Sequence, residues 1–290
     1  MNSSVIQLRR QLEALAPNHH HRAHGHVALG VPAIDTHLKG GLGLGLLHEV
    51  YAVKAADMAA TSGFTAGLVQ RMAPDTQTQR ARPVVWIRQT MSESEMGRLY
   101  PHGLANIGFD PARLISVRVN KAAHLLSAAL EATRCASLAA VLIEAWGEPK
   151  DLDLTATRRL ALAAEHSGTT PLLLRAAAKE QSSAAFTRWQ VQAAPSQALA
   201  ANAPGHPAFN LTLLRNKAGT HGQSWRVEWH HDLSQFRSID RTNSLSQTAK
   251  RQLETRYPDK PTRGKPVLGT VVPLSARQSA ATAERRTGTG

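Results

Sequence analysis

Five short apolar runs, separated by stretches with helical spacing, constrain this chain more than any other feature. They lie at 47–53 (LHEVYAV), 83–88 (PVVWIR), 114–119 (LISVRV), 138–143 (LAAVLI) and 171–174 (PLLL). Runs this short that are apolar at successive positions read as strands buried on both faces. Between them, 57–72, 122–133 and 153–166 have helical periodicity. Leu126, Ala129 and Leu130 should face inward from the second helix, and Ala156, Leu160, Ala163 and Ala164 from the third. Ser92 and Glu95 have capping-box spacing and should open a short helix. Strands alternating with helices predict an α/β fold, a mostly parallel sheet with helices on both faces. After residue 186 the pattern changes. The stretches 186–191, 209–214 and 225–229 alternate and should add antiparallel strands at one edge. The Ala/Pro-rich segment 193–207 reads as a loop.

The chain has 290 residues, room for one sizeable core plus tails. Aromatic residues make up only 4% of it, so Leu, Val and Ala must build the core. One cysteine, Cys135, excludes a disulfide framework and a cysteine-rich zinc site; beside Arg134 at a helix end it reads as inert packing. No apolar run reaches the roughly 18 residues needed to span a bilayer, and no signal-peptide core is visible, so we expect a cytoplasmic protein without membrane contact.

The net charge of +13 is unevenly placed. The domain organisation we expect is a helix plus linker at 1–26, a globular part at 27–240 and a basic tail at 241–290. The tail carries ten basic and three acidic residues and is rich in Thr, Ser, Pro and Gly, which predicts disorder. Lys250, Arg251, Arg256, Lys260, Arg263 and Lys265 are its candidate contacts with an acidic protein or, weakly and without sequence readout, with DNA. At the other end Val5, Leu8, Leu12 and Leu15 form one face of an amphipathic helix that Pro17 stops. The linker that follows holds His19, His20, His21, His24 and His26, without the acidic or thiolate partners of a metal site. Arg158 and Arg159 read as a solvated helix face.

Residues 29–50 (LGVPAIDTHLKGGLGLGLLHEV) resemble the entry into the core of RecA-type ATPases. Residues 97–119 (GRLYPHGLANIGFDPARLISVRV), 135–165 (CASLAAVLIEAWGEPKDLDLTATRRLALAAE) and 188–196 (RWQVQAAPS) resemble a narrower group, the ImuA family of RecA-like accessory proteins. The resemblance covers roughly residues 27–230. It implies a RecA-like core and a phosphate loop after the first buried strand. It also implies work beside an ImuB-like protein (an inactive Y-family polymerase homologue), an error-prone replicative-type DNA polymerase and RecA, in damage-induced translesion synthesis. In RecA-type filaments a linked N-terminal helix docks on the next subunit, so Val5, Leu8, Leu12 and Leu15 become the candidate partner-docking face.

The residues depart from the ATPase pattern where it matters most. A phosphate loop needs glycines whose N–H groups wrap the phosphate, then Lys and Ser/Thr at a helix N-terminus. This chain has AVKAADMAATSGF at 52–64: no Gly-Lys-Ser/Thr, Gly63 inside the helix, Lys54 ahead of the turn and Asp57 where its charge repels a phosphate. The sole Gly-Lys, Gly264-Lys265, precedes Pro266. Where RecA-type ATPases place a metal-binding aspartate stands Glu144, read here as a strand-end carboxylate with a structural hydrogen bond. No Gly-x-Ser-x-Gly or His-Glu-x-x-His motif is present. We therefore expect no catalysis, no cofactor and no metal, and an adaptor that acts through protein contacts. Two alternatives stay open: a cell-division inhibitor of the SulA type, whose compact RecA-like fold resembles residues 113–196, and an ATPase with an unrecognised site.

Overall fold

The computed structural model describes residues 23–72, 82–199, 201 and 203–239. All lie in the unit Met1–Ser244. The proposed docking face Val5, Leu8, Leu12 and Leu15, and the tail contacts from Lys250 to Lys265, lie outside the described residues.

A short ribbon of β1 (His26–Val27) and β2 (Leu42–Gly43) brackets helix α1 (Pro32–His37). The glycine-rich turn that leads to β2 holds this ribbon tight. Gly41 has φ of 116°, and a Cβ there would stand 2.2 Å from the Val27 carbonyl oxygen. Asp35 braces the entry from the other side by accepting the N–H groups of Leu29 (2.6 Å) and Gly30 (3.0 Å).

The main sheet contains β3 (His48–Ala52), β4 (Val84–Gln89), β5 (Leu114–Val119), β6 (Ala140–Trp146), β7 (Thr170–Ala176), β8 (Thr187–Ala194), β9 (Ala208–Asn216), β10 (Ser224–His230) and β11 (Gln235–Ser238). Their spatial order is β11-β10-β9-β8-β3-β7-β6-β4-β5. Strands β5, β4, β6, β7, β3 and β8 run parallel, and β9, β10 and β11 continue the sheet antiparallel. The expected α/β architecture, a mostly parallel sheet with helices on both faces and antiparallel strands at one edge, is present. One detail differs from expectation: β8 pairs parallel with β3, so the antiparallel extension starts one strand later, at β9.

The helices divide between the two faces. Helix α2 (Met58–Arg71) covers one, with α3 (Thr90–Met96) and α4 (Pro101–Asn106) packed nearby. Val50, Ala52, Trp86, Leu142, Leu174 and Trp189 of the strands meet Phe64 and Leu68 of α2 there. Burying each such large side chain contributes about 1.5–3 kcal/mol. Gly67 lets α2 approach the sheet; a Cβ there would lie 2.9 Å from the Phe236 ring and 3.0 Å from that of Trp229. Helices α5 (Ala122–Arg134) and α6 (Leu154–Ser167) cover the opposite face over Ile87, Val141, Ile143 and Leu173.

Four local expectations need correction. Ser92 lies inside α3, whose N-cap is Gln89, because β4 runs directly into the helix. The inward face of α5 is turned by about one residue, so that Leu125 and Ala129 are fully buried while Leu126 and Leu130 are partly covered. In α6, Thr157, Leu160, Ala161 and Ala164 are buried and Ala156 and Ala163 only partly. Cys135 is exposed, not packed. Among the described residues no helix is long and apolar enough to cross a membrane.

Candidate functional site

In parallel α/β sheets ligands bind beyond the carboxyl ends of the strands. At that end of β3 the chain passes through Val53 and Lys54 into a 3-10 turn, Ala55–Asp57, and then α2. In a phosphate-binding protein this turn's N–H groups face the anion. Here Asp57, the last residue of the turn, places its own carboxylate on backbone N–H groups. Asp57, buried, accepts the Lys54 N–H at 3.1 Å through Oδ2. Its Oδ1 accepts the Ala193 N–H of β8 at 3.0 Å. The carboxylate therefore supplies the negative charge that the helix start favours, and it ties the turn to the neighbouring strand. Lys54 is exposed, and Gly63 sits in the second turn of α2 against the Phe209 ring. Gly63 serves helix–sheet packing.

Glu144 in β6 is committed as well. Arg88, its register partner on β4, binds it bidentately: Nε–Oε2 is 2.8 Å and Nη2–Oε1 is 2.9 Å. Trp86 Nε1 donates to Oε2 at 3.2 Å, and the third Arg88 nitrogen donates to the Gly97 carbonyl at 3.0 Å. Arg88 is 4% exposed and Glu144 1%. A carboxylate used at both oxygens by one guanidinium has little left to offer a cation.

The other face of the sheet carries a second buried ion pair. Glu49 of β3 and Arg188 of β8 are register partners, with Nε–Oε2 at 2.9 Å. Ser183 donates to the same Glu49 oxygen at 2.8 Å. Burial disfavours the Arg188 charge, but the Glu49 carboxylate more than offsets it and raises the pKa. Tyr51 is pressed between two guanidiniums, Arg175 at 5.6 Å and Arg188 at 5.5 Å from its ring centre. Burial, then the Glu49 charge, raise its pKa. Arg175 is 1% exposed, yet its Nε and Nη2 make no hydrogen bond, and neither does Glu49 Oε1.

His48 links the strand to the glycine-rich entry. Its Nε2 lies 2.8 Å from the Gly43 carbonyl and its Nδ1 2.7 Å from Thr187 Oγ1, which also receives Trp189 Nε1 at 2.9 Å. A carbonyl can only accept, so Nε2 carries the proton and Nδ1 accepts from Thr187. Complete burial lowers the His48 pKa to about 4.

The remaining sequence candidates are scattered. His24 hydrogen-bonds the Glu165 carbonyl, and among the described residues no group of three or more His, Cys, Asp or Glu side chains is arranged to hold a metal. Trp86, Trp189 and Trp229 are buried and Trp146 and Trp225 pack against the same core. Arg158 and Arg159, adjacent in sequence, point into different clefts on the two sides of α6. The two strand-to-strand ion pairs were missed by sequence reasoning. Their signal was present: opposite charges, Arg88 and Glu144, end two of the apolar runs.

No family model matches the chain. It is similar to Protein ImuA of Caulobacter vibrioides, in two strains, with 32% identity over 208 residues, covering 68% of this chain and 80% of the relative. Among solved structures it is similar to the RadB recombinase, at 12% identity and a TM-score of 0.48, covering 74% of this chain and 100% of that one.

Proposed function

The chain belongs to the ImuA family, and on that premise we propose that it is a non-catalytic adaptor of damage-induced mutagenic translesion synthesis. In this reading it works by holding proteins together and turns over no nucleotide. Its partners are an ImuB-like protein, an error-prone replicative-type polymerase and RecA, with weak, salt-dependent DNA contact through the basic tail.

One observation supports the non-catalytic reading: Asp57 lies buried at the start of α2 and spends both oxygens on the backbone N–H groups of Lys54 and Ala193. A triphosphate placed there would meet a buried carboxylate and would have to break both bonds. Glu144, held by Arg88, supports the same reading from the metal side.

The test is co-purification from cells treated with a DNA-damaging agent, with the tagged full chain and with a form ending before Arg241. Recovery of an inactive polymerase homologue and an error-prone polymerase supports the adaptor. Recovery of the tubulin-like division GTPase alone, with filamentous cells on overexpression, contradicts it.

A further inference from the structure

Helix α6 turns two large apolar side chains outward. Leu162 is 66% exposed and Leu154 36%. They are eight residues apart, about 12 Å along the helix, with Arg158 midway on the same face. This face forms one wall of a cleft of about 700 Å³. The opposite wall is Ser182–Ala184 together with Arg215 and Lys217 at the end of β9.

The cleft is cationic as well as apolar. Arg215 Nη1 donates to the Ser183 carbonyl at 2.9 Å and Lys217 Nζ to that of Ala184 at 2.8 Å. Among the described residues neither Arg158 nor Arg215 has an ion-pair partner. Three cations thus share the cleft with one carboxylate, Glu165. Burial and then the Arg215 charge lower the Lys217 pKa, Arg158 adds to that effect and Glu165 opposes it, as expected where cations crowd.

We propose that this cleft is a docking site for an acidic amphipathic helix of another protein, with apolar residues between Leu154 and Leu162 and carboxylates on Arg158 and Arg215. Charge complementarity selects this occupant. The chain's own N-terminal stretch carries Arg9 and Arg10 against Glu13 and has the wrong sign. A nucleic-acid backbone would match the arginines but leave both leucines unmatched. The assignment does not depend on the ImuA reading, and its outcome is separate from any co-purification.

The probe is a fluorescein-labelled helical peptide of about 14 residues, with Leu on one face and Glu beside it, titrated with the full chain by anisotropy. The expected result is saturable binding, weakened about tenfold or more by Leu162→Asp and by Arg158→Glu, and unchanged by Lys121→Glu, at the N-cap of α5. Exposed positions leave the melting temperature in place, which separates lost binding from lost folding. The proposal is overturned if the peptide fails to bind, if a Leu-to-Ser peptide binds equally well, or if both cleft variants bind as the wild type does. It is also overturned if those variants weaken a single-stranded oligonucleotide and not the peptide. Two further results overturn it by naming another occupant: Leu162→Asp converting a dimer to a monomer without any peptide binding, or binding that appears only after removal of residues 1–22.

Discussion

Arg88 and Glu144 stand opposite each other in the register of β4 and β6, joined by a two-pronged ion pair that the fold buries almost completely. Glu49 and Arg188 are likewise level between β3 and β8, on the other face, joined through Arg188 Nε alone. A one-residue slip exchanges the two faces of a strand, and where both faces are apolar that exchange alone costs little burial. A charge pair that is satisfied only when two residues are level disfavours every slipped pairing, because a slip leaves both charges buried alone.

Breaking the Arg88–Glu144 pair from one side should be costly. Glu144→Leu leaves the buried Arg88 with only the more distant Glu93 carboxylate at 4.0 Å and should lower unfolding free energy by about 3 kcal/mol. The double variant Arg88→Met, Glu144→Leu should recover most of that loss. Urea unfolding of the two single variants and the double variant measures it; equal losses in all three would remove the register argument.

Arg175 should behave differently from Arg188. Two of its nitrogens have no partner, so it is held by contact with the Tyr51 ring instead of by a carboxylate. Arg175→Leu should cost under about 1 kcal/mol, or stabilise. Arg188→Leu strands the buried Glu49 and should cost about 3 kcal/mol or more. Denaturant midpoints of the two variants give the order directly.

His48 sets an acid limit on stability. Its folded pKa of about 4 lies below the unfolded value of 6.5. The native state therefore holds neutral His48 while the unfolded chain takes up a proton. Its contribution is complete above about pH 6.5 and is lost as pH falls toward 4, by about 3 kcal/mol in all. Thermal melts between those values should show a slope that His48→Gln reduces; an unchanged slope would contradict the assignment.

Much of the fold was legible because parallel strands covered on both faces must be apolar at every position. That rule located β3, β4, β6 and β7, and helical spacing located α2, α5 and α6; β5, expected to be buried on both faces, is instead an edge strand with no fully buried residue and Ile115 50% exposed. What stayed hidden is non-local or short. Strand β11 (QFRS) has too few residues to show a period, and α1 spans 6 residues within a turn-like, glycine-rich context. The direction of β8 depends on its pairing with β3, about 139 residues away, which local pattern cannot carry. At the site, the missing Gly-Lys-Ser/Thr and the position of Asp57 were readable. That Asp57 reaches Ala193, and that Arg88 holds Glu144, required the assembled sheet.

An adaptor of the kind proposed does not grip triphosphate at the start of α2. Equilibrium titration of the full chain with a fluorescent ATP analogue and magnesium tests it. The account predicts no saturable binding up to about 1 mM, a ceiling of roughly −4 kcal/mol. Micromolar binding that is lost on Lys54→Ala or Glu144→Gln would contradict it.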